Sequence, residues 1–302
     1  MLKILITIIL VVGSLFTNIY GHYHPVPDVA ADAFRVQYGE EKCNYMDVFL
    51  PEKTDGKCDV MLGIHGGSWM AGDQTAFSGE ARDAAGYGYI GVTVDYSKIF
   101  DSVGGKKVFG KATALTMVDE IFKAVGKLRE VLNERGIETD KMLIYSHSSG
   151  SHLALLYAYT HCKDSPIPIG MIVSMSTPAD LTLEASGKTL LETWRPSLLT
   201  ALTGEDITDL TIKTKKGAAA VAAINPIDHV SADVPPTLLV HGDQDDLIPY
   251  ENSPLLCEKL TACGVPSKVI TFPGEGHFIR FSPIEMRQEM IDAATEWAAL
   301  YM

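Results

Sequence analysis

The chain has 302 residues, 46% of them hydrophobic, and a formal net charge of −13 at pH 7. That is enough apolar material for one large α/β core, and the acidic balance argues against a nucleic-acid surface. Its five cysteines show neither a CxxC pair nor metal-ligand spacing, which gives no sign of a bound metal.

The N-terminus reads as a targeting segment. Lys3 supplies a positive start, Ile4 to Phe16 is almost wholly apolar, and small and polar residues lead to Gly21. Residues 1–21 are therefore expected to be a signal peptide, leaving one domain over 22–302. The apolar run is shorter than the roughly 20 residues of a spanning helix. Secretion or periplasmic export is the expectation, without stable membrane insertion, and an uncleaved anchor is the alternative. In an exported chain Cys43 and Cys58, each flanking a predicted strand, are the best candidates for a disulfide.

Short strands rich in Val, Ile and Leu are expected at Tyr45–Leu50, Val60–Ile64, Ile90–Tyr96, Met142–Tyr145, Gly170–Ser174, Thr237–His241 and Val269–Phe272. Helical periodicity occupies Ala76–Tyr87, Thr113–Glu134, Ser149–His161, Glu251–Ala262 and Glu285–Tyr301. Near-continuous apolar strands alternating with amphipathic helices predict an α/β fold, a mostly parallel sheet with helices on both faces. Residues 178–225 break the alternation and carry Trp194, Pro196 and a Lys-rich patch (Lys213, Lys215, Lys216). They are expected either to arch over a site as a small cap-like insertion or to form a surface excursion.

Ligand sites in such sheets lie beyond the carboxyl ends of the strands, so what each strand ends in is informative. Met142–Tyr145 runs into Ser146-His147-Ser148-Ser149-Gly150 and then at once into a helix. A serine at the apex of a strand–turn–helix is the geometry of a nucleophile elbow. The elbow needs small residues two positions to either side, and Ser148 has Ser146 and Gly150 there. Taken alone, the turn leaves catalysis and simple helix capping evenly balanced, because serine also favours N-caps.

Other strand ends tip that balance. Val60–Ile64 ends in His65-Gly66-Gly67-Ser68-Trp69, where paired glycines can turn backbone N–H groups into a cavity. Gly67 and Ser68, with Ser149 from the elbow, are the expected oxyanion donors. His65 is read as a brace for that loop. Thr237–His241 ends in Gly242-Asp243-Gln244-Asp245-Asp246, any one of which could be a solvated turn residue. The last strand ends in Pro273-Gly274-Glu275-Gly276-His277. Serine, acid and histidine thus follow in that chain order at strand ends.

That order, with Tyr45-Met46-Asp47-Val48-Phe49-Leu50-Pro51, Val94-Asp95-Tyr96 and Asn225-Pro226-Ile227, resembles the α/β-hydrolase superfamily. The resemblance is to its exported esterase and lipase branch with an HGG-x-W oxyanion loop: relatives of hormone-sensitive lipase and of feruloyl or acetylxylan esterases. It implies a triad of Ser148, Asp245 and His277. The acid is the fifth residue of the family's HG-x-x-D segment, which lands on Asp245, with Asp243 and then Asp246 as alternatives. The implied activity is hydrolysis of a carboxylic ester without metal or organic cofactor, on a small-molecule, short-chain acyl or carbohydrate-linked ester. The alternatives are amide hydrolysis of the formamidase or peptidase kind and a non-catalytic binding protein on the same fold.

Seven positions depart from that pattern or compete for a role. Ser146 replaces the first elbow glycine. Ser97 stands where the family often has arginine, so a bracing contact is expected to be missing. His147 is a weak candidate for lining the substrate pocket, and Trp69 is expected either to contact substrate there or simply to pack. His152 is expected to pack or cap, His241 to brace its loop, and Ser151 to lie on the helix surface.

Overall fold

The computed structural model describes residues 32–54, 56–103, 106–183 and 190–302. The expected signal peptide and residues 184–189 of the 178–225 segment lie outside the described residues, as does the side chain of Trp194.

The strands are β1 (Asp32–Gln37), β2 (Tyr45–Leu50), β3 (Lys57–Ile64), β4 (Ile90–Val94), a separate ribbon of β5 (Phe100–Val103) and β6 (Lys106–Phe109), β7 (Glu138–His147), β8 (Ile169–Met175), β9 (Thr237–Gly242) and β10 (Ser267–Phe272). All but the ribbon form one eight-stranded sheet in the order β1-β2-β4-β3-β7-β8-β9-β10. β1 and β2 are antiparallel to their neighbours, and every pairing from β4 to β10 is parallel. The helices are α1 (Ser78–Gly86), α2 (Ala114–Glu134), α3 (Ser149–Thr160), α4 (Leu190–Thr203), α5 (Lys215–Ile224), α6 (Asn252–Ala262) and α7 (Ile284–Tyr301).

This is the α/β-hydrolase architecture expected from the alternation of elements. Side-chain alternation along the inner strands splits the core between the two faces. Ile172 and Leu239 join the large cluster containing α2 and α3, whereas Met171, Val173, Leu238 and Val240 join the cluster under α7. Residues buried on both faces explain why β8 and β9 read as unbroken apolar runs.

Two elements were not expected. β1 is half polar and becomes a strand through its register with β2, where Arg35 lies opposite Asp47 and pairs with it at 2.6 Å. The β5–β6 ribbon is likewise made by pairing alone. In the 178–225 segment, α4 and α5 contribute Leu199, Leu202, Val221 and Ile224 to the same large core cluster as α2 and α3.

The Cys43–Cys58 pairing is corrected: the two thiols are not joined in a disulfide. Cys43 precedes β2, whose Met46 lies opposite Val94 at one end of β4, while Cys58 precedes Val60, opposite Ile90 at the other end. The length of a strand separates them, beyond any disulfide's reach.

Candidate active site

The elbow forms between β7 and α3. Ser148 has φ 58° and ψ −128°, a backbone conformation costly for an L-residue and held by its surroundings. Its N–H donates to Met175 O at 2.9 Å, locking the turn to the end of β8. Gly150 has no alternative: a Cβ there would lie 2.2 Å from Ile64 O and 2.4 Å from His65 O, because α3 starts directly against the end of β3. On the other flank Ser146 is fully buried and accommodated. Its Oγ donates to Val173 O at 3.3 Å and lies 3.2 Å from Ser151 Oγ. Ser151 is not on the helix surface, as expected from sequence, but buried, donating to Met175 O and accepting from Met175 N. Two hydroxyls thus fill the space beside the elbow.

The three strand-end residues converge. Ser148 Oγ lies 2.9 Å from His277 Nε2, and His277 Nδ1 lies 2.8 Å from Asp245 Oδ2. All three are nearly buried, Ser148 at 4% and His277 at 3% exposure. The Asp245 carboxylate accepts four hydrogen bonds: Oδ1 from the N–H groups of Leu247 and Ile248, both at 2.9 Å, and Oδ2 from His277 and from His241 Nε2 at 3.1 Å. Burial pushes this carboxyl up, but the two imidazoles outweigh it and hold it far below the usual carboxylate range. Asp243 and Asp246 are set aside by position. Asp243 is exposed and caps the neighbouring turn by accepting from Gly274 N at 2.7 Å, and Asp246 is exposed.

His277 must reach from β10 across β9 and β8 to meet Ser148. Its carbonyl is held at 3.0 Å by two donors, His147 Nε2 from the end of β7 and Ser176 Oγ from just beyond β8. Sequence gave no signal for Ser176, which has a left-handed backbone with φ 47°. His147 is corrected from pocket lining to anchor. It is fully buried, 4.9 Å from the His277 ring, and burial with that neighbour pushes its imidazole down to about 3, so it stays neutral. Of the two roles expected for Trp69, the structure shows packing. Its indole is 2% exposed and donates to His152 Nδ1 at 3.3 Å, and His152 Nε2 in turn donates to Ile224 O at 2.8 Å. Burial takes the His152 imidazole down to about 4. His152 is a packed, neutral residue and no rival to His277.

The loop after β3 carries three consecutive left-handed residues, Gly67 (φ 127°), Ser68 (φ 55°) and Trp69 (φ 59°). This turn sends the Gly67 carbonyl back to accept from Met70 N and Ala71 N, both at 3.0 Å. Among the described residues no backbone hydrogen bond uses the N–H of Gly67, Ser68 or Ser149. The loop is braced from below, as expected of His65. Its Nδ1 lies 2.7 Å from Gly66 O, its Nε2 3.1 Å from Asp95 Oδ1, and its ring stacks on Tyr96 at 4.4 Å. The cation expected to be missing at Ser97 is supplied one residue later. Lys98 Nζ lies 2.5 Å from Asp95 Oδ1 and 4.1 Å from the centre of the Tyr96 ring, while Ser97 bonds Glu120 instead. Among the described residues no cluster of His, Cys, Asp and Glu could hold a metal, and no helix is long and apolar enough to cross a membrane.

The site and sheet define an α/β-hydrolase with a nucleophile elbow. More narrowly, the chain belongs to the BD-FAE family, whose model matches residues 46–260. It is 23% identical to an Arabidopsis thaliana protein named as a probable isoprenylcysteine alpha-carbonyl methylesterase, over 83% of this chain and 52% of that protein. It is 24% identical to esterase LipC of Mycobacterium tuberculosis, over 80% of this chain and 59% of that one. The chain spans about half the length of the curated relatives it matches. Among solved structures, esterase B from Lactobacillus rhamnosis superposes with a TM-score of 0.75 at 18% identity, covering 99% of this chain and 96% of that one. A truncated carbohydrate esterase from gut microbiota superposes with a TM-score of 0.72 at 19% identity, covering 92% and 100%. These superpositions establish the shared fold.

Proposed function

We propose that this protein is a serine hydrolase that cleaves carboxylic esters through an acyl-enzyme. The observation that carries the reading is the continuous hydrogen-bond chain from Ser148 through His277 to Asp245, mounted on a strained elbow at the sheet's carboxyl edge. His277 Nε2 takes the Ser148 proton as Oγ attacks the ester carbonyl, and Asp245 keeps Nδ1 protonated and stabilises the imidazolium. The oxyanion develops against the N–H groups of Gly67, Ser68 and Ser149, each worth about 2.7–4 kcal/mol to the transition state. His277 then protonates the leaving alcohol, and water repeats the sequence to free the acid.

For substrate we propose a small ester, with a short acyl chain or a carbohydrate-linked ester as the finer reading. The names of the relatives, among them a methylesterase and a carbohydrate esterase, support that choice. Export by the leader at residues 1–21 is proposed on its charge and apolar pattern. N-terminal sequencing of the protein recovered from a secreting host checks it, and an intact Met1 would overturn it.

An acyl-chain series of p-nitrophenyl esters, run beside acetylated xylan and N-formylkynurenine, tests the activity. The expected result is fastest turnover of short acyl esters or of the acetylated polysaccharide. Preference for the formamide over every ester would replace ester by amide hydrolysis.

A further inference from the structure

Asp245 carries a second serine–histidine arm. His241, at the end of β9, places Nε2 3.1 Å from Asp245 Oδ2, the same oxygen that receives His277 Nδ1. On its other side His241 Nδ1 lies 2.7 Å from the Oγ of Ser253, in the first turn of α6. The order Ser148–His277–Asp245–His241–Ser253 is therefore a pair of arms meeting at one carboxylate. They differ in the sense of the ring. The reacting arm turns Nδ1 to the acid and Nε2 to its serine, whereas the second turns Nε2 to the acid and Nδ1 to its serine.

The proton pattern of the second arm follows from its ends. A carboxylate only accepts, so His241 must carry hydrogen on Nε2. With one proton on the ring, Nδ1 is an acceptor and the Ser253 hydroxyl donates to it. Ser253 and His241 are both 0% exposed, and Ser253 N is already bonded to Tyr250 O at 3.0 Å. No ester can reach Ser253, so this arm has no nucleophilic role.

We infer that the His241–Ser253 pair is a positioning device for the proposed ester hydrolysis: it fixes the rotation of the Asp245 carboxylate and limits how strongly that carboxylate holds the protonated His277. Two backbone N–H groups grip Oδ1, and without His241 only the moving imidazole would hold Oδ2. A donor on Oδ2 also draws off part of its charge. Removing it leaves Asp245 a stronger partner for the imidazolium, which favours the protonated, inactive base. Ser253 selects the tautomer. Without its hydroxyl the ring can move its proton to Nδ1 and turn a lone pair towards Asp245.

The inference rests on the ester-hydrolase reading, and the test separates the two. Variants His241→Phe, His241→Gln and Ser253→Ala are compared with the wild type in kcat, KM and pH–rate profile on p-nitrophenyl acetate. His241→Phe is expected to lower kcat roughly 10- to 100-fold with KM changed less than about 3-fold, and to move the acid limb to higher pH. Other titratable groups near the pair are Tyr250, whose ring is 5.7 Å from His241, and His147 beside His277; both are retained in every variant. His241→Gln, which can still donate to Oδ2, should recover most of the loss. Ser253→Ala should show a smaller loss with the same sense of pH shift. A kcat and acid limb equal to wild type in Ser253→Ala, with full activity in whichever His241 variant folds, overturns the inference. The ester-hydrolase reading fails by a different result, a wild type that neither turns over esters nor reacts with a fluorophosphonate probe at Ser148.

Discussion

The two serine–histidine arms on Asp245 contain the same residue types at similar distances, yet only one can do chemistry. Ser148 sits at a left-handed elbow with 4% of its surface exposed, beside a loop whose Gly67 and Ser68 N–H groups are used by no backbone hydrogen bond among the described residues. Ser253 lies in the first turn of a regular helix and is sealed from solvent. A hydrogen-bonded serine and histidine are therefore not sufficient to define a nucleophile. Reactivity comes from backbone strain that lifts the hydroxyl out of the helix, and from unpaired donors where negative charge will form.

The strongest way to break this comparison is to remove the reacting hydroxyl. Ser148→Ala should reduce kcat by about 10^6-fold and abolish fluorophosphonate labelling. Label appearing on Ser253, read by peptide mass spectrometry, would show that the second arm is not sealed. Removing the shared hub comes next. Asp245→Asn should cost about 10^4-fold in kcat by releasing the His277 tautomer, with KM little changed, as steady-state kinetics will show.

A third expectation concerns the neutral histidines packed around the reacting arm. His147 and His152 are held near 3 and 4, below the ordinary imidazole value, so the unfolded chain takes up protons that the folded one refuses. Stability should be intact above about pH 6.5 and fall as pH drops below it, by about 2 kcal/mol for each histidine at pH 5. Urea unfolding at pH 7 and pH 5 measures this, and a His152→Phe variant should lose less between the two pH values than the wild type. The smallest effect is expected at the elbow flank. Ser146→Gly gives up the bond to Val173 and the contact with Ser151 and should cost no more than about 1 kcal/mol with kcat within about 2-fold. A large gain in kcat would instead mean that Ser146 distorts the turn.

Much of this site was legible because strand-end motifs are local. Gly150 and the paired glycines after β3 answer close backbone approaches and left-handed turns that few other residues tolerate, so their spacing exposes the elbow and the oxyanion loop. Asp245, by contrast, stood among three carboxylates that local sequence could not separate. The structure separates them because only Asp245 faces the inside of its turn, where two N–H groups and two imidazoles meet it.

The residues that sequence misjudged, left open or missed share one feature: their partners are distant in the chain. Trp69 meets His152, His147 and Ser176 meet the His277 carbonyl, and Ser151 meets Met175, contacts created only when neighbouring strands and helices pack. An aromatic or a histidine beside an active-site motif looks the same in sequence whether it faces the substrate or the core. The sequence by itself determined the alternation of buried strands and amphipathic helices, the elbow and the order of serine, acid and histidine, because these depend on periodicity and local backbone demands. Only the tertiary structure decided that His147 is a buried support, that Trp69 packs and that Asp245 holds two arms, because burial and long-range hydrogen bonding are properties of the packed chain.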